Sequence, residues 1–408
     1  MSDLVTRAQL TMLAKLLHVP VERVQHLEHL GADQLFALRD RMAGIMFDEN
    51  AEMFSRIAML VPIVPLQIAM PIVQKVTSPE MAGRSAGAVA VAHPKKAAAA
   101  MTMVDIAYGA SAASFLDPRA VAKIAHVAPH GPVVDIANEL MRRKDYITGG
   151  LFVDAATPEL IRAIEAGVDD DEGLIRTGAY VHSGKVVSDI LRVIIDASPG
   201  RIARLITTVV GGSDDLQIAA LSVFARIDAD LIEIIGDTLF EQEDPDAVGA
   251  LVRNFVANDA ISELMQFVGH LSESALRTFG GNPVAHEHDL LEAAVTAAAD
   301  HDDPNVWHGL LNIADAADTD VQRRVLELVV AGDGELPTRI AASATDADLW
   351  PLLLRILANQ TADLQERVAA SWGSSLPEQV QETVLVRARE LGLEEQLRPA
   401  TAAMSAAG

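Results

Sequence analysis

A helix-capping residue followed by proline recurs through the chain, at Asp117-Pro118, Thr157-Pro158, Ser198-Pro199, Asp244-Pro245 and Asp303-Pro304. Asp, Ser or Thr ahead of a helix accepts a hydrogen bond from an otherwise unpaired amide, and proline at the first helical position has no amide to leave unpaired. Each pair therefore marks a helix start. The first three intervals are 40, 41 and 46 residues and the fourth is 59. After each start apolar residues return at helical spacing, as in Leu160, Ile161 and Ile164 or Ile202, Leu205 and Ile206. Val248, Leu251, Val252 and Phe255 continue the pattern, then Leu310, Leu311 and Ile313, then Leu349, Leu352, Leu353 and Ile356. A period of this length carrying paired helices predicts an all-α fold, a HEAT-like α-solenoid of helical hairpins. Composition agrees, since 50% of residues are hydrophobic but only 4% aromatic, and alanine favours close-packed helices over strands.

Ahead of the repeats lies an unusual apolar stretch, residues 57–74, which carries no charge and is bracketed by Arg56 and Lys75. Its 18 residues reach the lower limit for a membrane span, but Pro62, Pro65 and Pro71 break it into short kinked helical turns. A stable membrane span is therefore not expected, although peripheral membrane contact is compatible with the stretch. A second apolar block covers residues 86–116, where Gly87, Gly109 and the alanines 97–100 supply faces on which helices approach closely. Surface this apolar has to be covered by the rest of the protein, a ligand, a partner or lipid. The reading taken is that the later array covers it. Upstream, residues 6–47 predict a helical hairpin and a third helix, with His18-Val19-Pro20-Val21 as the first connection and Gly31-Ala32-Asp33 opening the last.

Charge separates the same two regions. Residues 1–150 hold 15 Lys+Arg against 14 Asp+Glu, whereas residues 151–408 hold 17 against 43. So acidic a C-terminal part repels phosphates, which disfavours nucleic-acid binding. Methionine is skewed the other way, with 11 of 13 at or before Met141, and flexible thioethers suit adaptable apolar surfaces as well as irregular cores. There is no cysteine, which removes thiolate catalysis and cysteine-ligated metals. The N-terminus lacks the pattern of a secretory signal, so a cytoplasmic location is the default expectation. The expected division is an apolar, Met-rich region at 1–110, an acidic repeat region at 111–398 and a flexible tail at 399–408.

The run Phe115-Leu116-Asp117-Pro118-Arg119-Ala120, with Ile124-Ala125 after it, resembles the superhelical N-terminal domain of MgtE-type magnesium transporters. It resembles still more closely uncharacterised soluble bacterial proteins of that helical architecture. Glu139-Leu140-Met141-Arg142-Arg143 with Tyr146 and Phe152-Val153, and later Leu349-Trp350-Pro351, extend the resemblance over residues 110–390 or so. What it implies is the fold, because these positions are helix starts and packing residues. It carries no activity over, and no transporter pore is expected.

Chemical motifs are few. His286 and His288 lie in an Ala-His-Glu-His-Asp run with His301 further on; such a cluster can chelate zinc or magnesium from a loop, although helix capping by Asp289 and Asp303 is the favoured role for the segment. His26 and His29 are read as exposed helix residues. Asp169-Asp170-Asp171-Glu172 can attract divalent cations loosely, as the MgtE resemblance suggests, but lacks the spacing of a calcium loop and is read as a solvated connection. Gly83-Arg84-Ser85-Ala86-Gly87 fits the hydrolase elbow literally, yet no strand leads into it, so small-residue packing is favoured. No catalytic role is assigned and no cofactor is expected beyond a bound hydrophobic molecule. The function expected is a soluble binding or carrier protein for a lipid, sterol, polyene or other pigment. Its ligand-contacting residues are Met59, Leu60, Ile63, Leu66, Met70, Val73, Met101, Met103, Tyr108 and Phe115; Asp105, Tyr108, Arg142, Arg143, Lys144 and Tyr146 can supply polar anchors, although surface or helix-end placement is the favoured role for each taken singly. The alternative is a non-catalytic solenoid scaffold for a protein partner, in which residues 57–74 are plain core.

Overall fold

Helix starts carry the clearest local chemistry in the sequence, and the computed structural model, which describes residues 3–49, 51–60, 64–300, 304–332, 336–370 and 372–407, shows them in use. Asp117, Thr157 and Asp244 each accept a backbone amide, from Arg119, Leu160 and Ala247, and the proline after each is the first helical residue. Pro304 also opens a helix. Ser198 differs: it closes one helix, and the next begins at Arg201. Among the described residues there are 28 α-helices and no strand, in two compact units, Met1–Val209 and Val210–Gly408. The division at 110 is not seen, because that residue sits inside a helix that packs on both sides of it in sequence.

The first unit contains α1 (Leu4–Leu16), α2 (Gly31–Asp48), α3 (Ala51–Leu60), α4 (Leu66–Val76), α5 (Pro79–Ala92), α6 (Pro94–Met101) and α7 (Ile106–Ala113). It continues through α8 (Pro118–Ile124), α9 (His130–Arg142), α10 (Tyr146–Val153), α11 (Pro158–Gly167), α12 (Asp171–Gly178), α13 (Gly184–Ala197) and α14 (Arg201–Val210). Packing runs from each helix to the one two places on: α3 to α5, α5 to α7, α7 to α9, α9 to α11 and α11 to α13 form one row, and α6 to α8, α8 to α10 and α10 to α12 the other. That is a two-helix repeat, and it starts within the region expected to precede the array. Small residues make its contacts. A Cβ on Gly83 would overlap the Ala112 carbonyl oxygen of α7, and α5 also meets α8, three places on, where Ala90 packs with Ala120 and Ile124.

At the front of this unit the expected second helix is instead two 3-10 turns, Val21–Arg23 and Gln25–Leu30, in which the amides of Val24 and Leu27 reach back three residues. With α1 and α2 they enclose a small core of Leu10, Leu13, Val24 and Leu35. Polar contacts tie this group to later helices of the unit: Lys15 to Asp145, Asp48 to Arg119 at 3.0 Å, and Phe36 stacked on His182 at 4.2 Å.

The second unit contains α15 (Asp214–Phe224), α16 (Ala229–Gln242), α17 (Pro245–Ala257), α18 (Ile261–Val268), α19 (Glu273–Gly280), α20 (His288–Asp300) and α21 (Pro304–Ala316). After these come α22 (Thr319–Ala331), α23 (Leu336–Asp346), α24 (Trp350–Ala358), α25 (Ala362–Ala369), α26 (Trp372–Ser375), α27 (Glu378–Glu390) and α28 (Arg398–Ala407). Here the helices also meet three places on, α15 with α18, α16 with α19, α17 with α20, α18 with α21, and then α21 with α24 through α25 with α28. The repeat is thus of three helices, not the hairpin expected throughout. Side-chain amides mark its period: Asn254 donates to Gln217, Asn282 to the Pro245 carbonyl and Asn359 to Gln322, each across 37 residues. The segment expected as a flexible tail is α28, which packs on α25 and α26 and buries Ala400 and Met404, apolar contact enough to hold it.

Candidate functional site

Of the apolar stretch 57–74, the described residues form the end of α3, the connection at Val64 and Pro65, and most of α4. Pro65 precedes α4, Pro71 interrupts it, and none of its residues is buried. Positions four apart share a helix face. The inward rows hold Leu66, Met70, Val73 and Gln74, all half-buried, and the outward rows hold Gln67, Pro71 and Lys75 beside Ile68, Ile72 and Val76. Ile68, Ile72 and Val76 are 60%, 54% and 76% exposed, and Met59 at the end of α3 is 63% exposed. The expectation that the array covers this stretch is therefore corrected. With apolar residues on both sides of α4, one side packs and the other has no helix over it.

Polar groups clip the C-terminal end of α4 to the connection between α6 and α7. The Gln74 side chain donates to the Met103 carbonyl at 3.3 Å and accepts from the Asp105 amide at 2.6 Å. Tyr108 donates its hydroxyl to the Thr77 carbonyl at 3.0 Å, while Asp105 caps α7 by accepting the Tyr108 amide at the same distance. Burial pushes the Tyr108 phenol above its ordinary pKa, which keeps it a donor.

The remaining expected ligand-contacting residues are distributed around this feature. Met101 packs on the Ala90, Ala120 and Ile124 cluster, and Phe115 lies beside His18 and against Gly83. Ile63 falls outside the described residues, as does the Leu60 side chain. Most of the expected polar anchors serve the fold. Arg142 and Arg143 share Glu139, Arg142 first, and hold its carboxyl at about 2; Arg143 also donates to Ser111 and to the Ala107 carbonyl. Tyr146 lies under Arg176, and Lys144 occupies a left-handed turn at φ 57°. The Gly83–Gly87 motif sits inside α5, where both glycines face α7 and α8 and Ser85 bonds back to the Ala82 carbonyl.

Metal candidates do not converge. His286 faces Asp318 at 3.8 Å, His288 faces Glu292 at 3.6 Å, and His301 lies outside the described residues. Among the described residues no three metal-ligating side chains come together. The acidic run at 169–172 is not the solvated connection expected: Asp170 caps α12, Glu172 pairs with Arg176, and Asp171 is buried against Arg201 and Arg204 at 2.6 and 2.7 Å. Arg201 also donates to the carbonyls of Glu165 and Val168. This buried pairing was missed because its partners lie one repeat apart, 33 residues in the case of Arg204. The outward row of Ile68, Ile72 and Val76 was missed too, although its four-residue spacing is visible in the sequence.

The electrostatic setting of α4 is its own. Residues 51–104 contain five basic and two acidic side chains, and all seven lysines of the chain lie at or before Lys185. Residues 210–408 contain 34 acidic side chains against 11 arginines. No helix among the described residues is long and apolar enough to cross a membrane. No protein-family model matches the chain and no curated protein matches it, so its likeness to the MgtE-type domain extends only to helical-repeat architecture in general.

Proposed function

We propose that the protein is a non-catalytic binding or carrier protein for a hydrophobic molecule of the lipid, sterol or polyene class, taken up at the helices α3 to α7. The observation that carries this reading is the outward row Ile68, Ile72 and Val76 with Met59 before it. Water-exposed aliphatic side chains of this size are costly to maintain and signal something that covers them in use. Met70 of the same helix, with Met101 and Met103 further along the chain, is half-buried, and such thioethers can reshape around a guest. Native mass spectrometry and solvent extraction of the purified protein test the proposal. Recovery of an apolar compound, or stoichiometric uptake from a lipid panel, supports it. Protein with no extractable compound and no uptake overturns it.

A second reading has its own support. Three hydrogen bonds that each span 37 residues tie helices of the second unit to those one repeat on, and such arrays are the form in which helical repeats present a partner-binding surface. Under this scaffold reading the fold-level resemblance to MgtE-type domains is the useful one, and α4 is incidental. A partner that binds with equal affinity to the wild type and to an Ile68→Asp, Ile72→Asp variant favours it.

A further inference from the structure

We infer that the outward face of α4 docks the protein on an anionic lipid surface, with α4 lying in the plane of the interface. This rests on the proposed function in taking the face as ligand-contacting, and it names the surface from which a lipid-class guest is drawn. Geometry sets the mode. Eleven residues of α4 span about 16 Å, roughly half the hydrocarbon thickness, so the helix can lie on a bilayer and not cross it. Ile68, Ile72 and Val76 form one row along its length, and Lys75 borders that row with its charge free to remain at headgroup level.

Charge selects the lipid. Lys75 is exposed, and the nearest acid after it in the chain, Glu80, is paired with Arg84 at 3.0 Å. Lys75 is the one charged side chain of α4, so the aliphatic face is bordered by a positive charge and by no acid of its own helix, the sign that suits an anionic leaflet. The side-chain types also favour lipid over a protein partner. Protein interfaces concentrate Trp, Tyr, Phe and Arg and deplete Lys, and the exposed large hydrophobics of residues 45–106 are Ile, Val and Met alone. Acyl chains need no such anchors.

The experiment is flotation of the full-length protein with vesicles of phosphatidylcholine alone and of phosphatidylcholine with phosphatidylglycerol, at low and high salt. Wild type is expected to float with the anionic vesicles, less so at high salt. Ile72→Asp is expected to reduce partitioning more than about tenfold, and Lys75→Gln roughly fivefold. Both positions are exposed, so the variants keep wild-type circular dichroism and melting midpoints. Wild type remaining with the soluble fraction under all conditions overturns the inference, as does flotation that Ile72→Asp leaves unchanged. A wild-type dimer that Ile72→Asp makes monomeric, without flotation, assigns the face to a second copy and also overturns it. Absent flotation together with extractable lipid defeats docking and leaves the carrier reading standing; flotation without extractable lipid does the reverse.

Discussion

The two units solve the same problem, stacking short helices, with different side chains. In the first, helices meet across glycine and alanine, two places apart at Gly83 of α5 against α7, and three places apart at Gly87 and Ala90 of α5 against Ala120 of α8. Small residues let backbones approach but bury little apolar area each, and large aliphatics are left facing outward: 12 of the 15 exposed large hydrophobics among the described residues lie at or before Val127. In the second, helices meet three places apart, and this deeper stacking encloses Trp307, Trp350, Trp372 and Phe279 completely. Of its acids Glu263 alone is among the buried residues described.

The largest effect is expected in the aromatic core of the second unit. Trp372 stacks edge-on with Trp350 at 5.4 Å and donates to the Pro337 carbonyl at 2.8 Å, so Trp372→Ala leaves both a cavity and an unpaired carbonyl. A loss of about 3–5 kcal/mol is expected in denaturant unfolding of the second unit. In the first unit the largest effect is electrostatic. Arg201→Met strands Asp171 beside a half-exposed Arg204, because the Arg201 side chain is only 4% exposed, and about 3 kcal/mol should be lost. Replacing Asp171 as well, by Asn, should recover part of that loss, which a simple packing defect would not. Gly83→Ala comes next, at roughly 1–3 kcal/mol, since the new methyl meets the Ala112 backbone and α5 has to move from α7.

The smallest effect is a pH dependence that differs between the units. His308 in the second unit is held below its ordinary pKa by burial and then by His270, whose ring lies edge-on at 6.0 Å. The unfolded chain therefore takes up the proton first as pH falls below about 6.5, and stability is full above that point and declines below it. His308→Gln should flatten that decline. In the first unit, burial alone would raise Asp145, but hydrogen bonds from Lys15 and Thr148 outweigh it and lower its pKa. Its contribution persists above the unfolded value near 3.9 and is lost only in stronger acid, as pH falls through the folded value. Urea titrations across this range, on wild type and His308→Gln, check the contrast.

Local chemistry made part of this legible in the sequence. Asp117, Thr157 and Asp244 were readable as helix caps because the cap and the amide it satisfies are neighbours in the chain. The three-helix period was not, because it depends on which buried faces meet, and apolar spacing within a helix does not name the partner. Asp171 looked like a solvated acid for the same reason: its arginines belong to the next repeat. In α4 the difficulty was direction. Leu66, Met70 and Val73 alternate with Ile68, Ile72 and Val76, so both sides read as core and only the fold shows which is left open. The ten C-terminal residues, rich in alanine and without acid, gave no sign of the contacts that bury Met404.

The outward row of α4 is proposed to serve binding and not stability. Its most direct test is the Ile68→Asp, Ile72→Asp variant, measured for unfolding free energy and for recovered hydrophobic compound in one preparation. Stability within about 0.5 kcal/mol of wild type, with the bound compound lost, is the predicted result; a large fall in stability, or an unchanged load of compound, contradicts it.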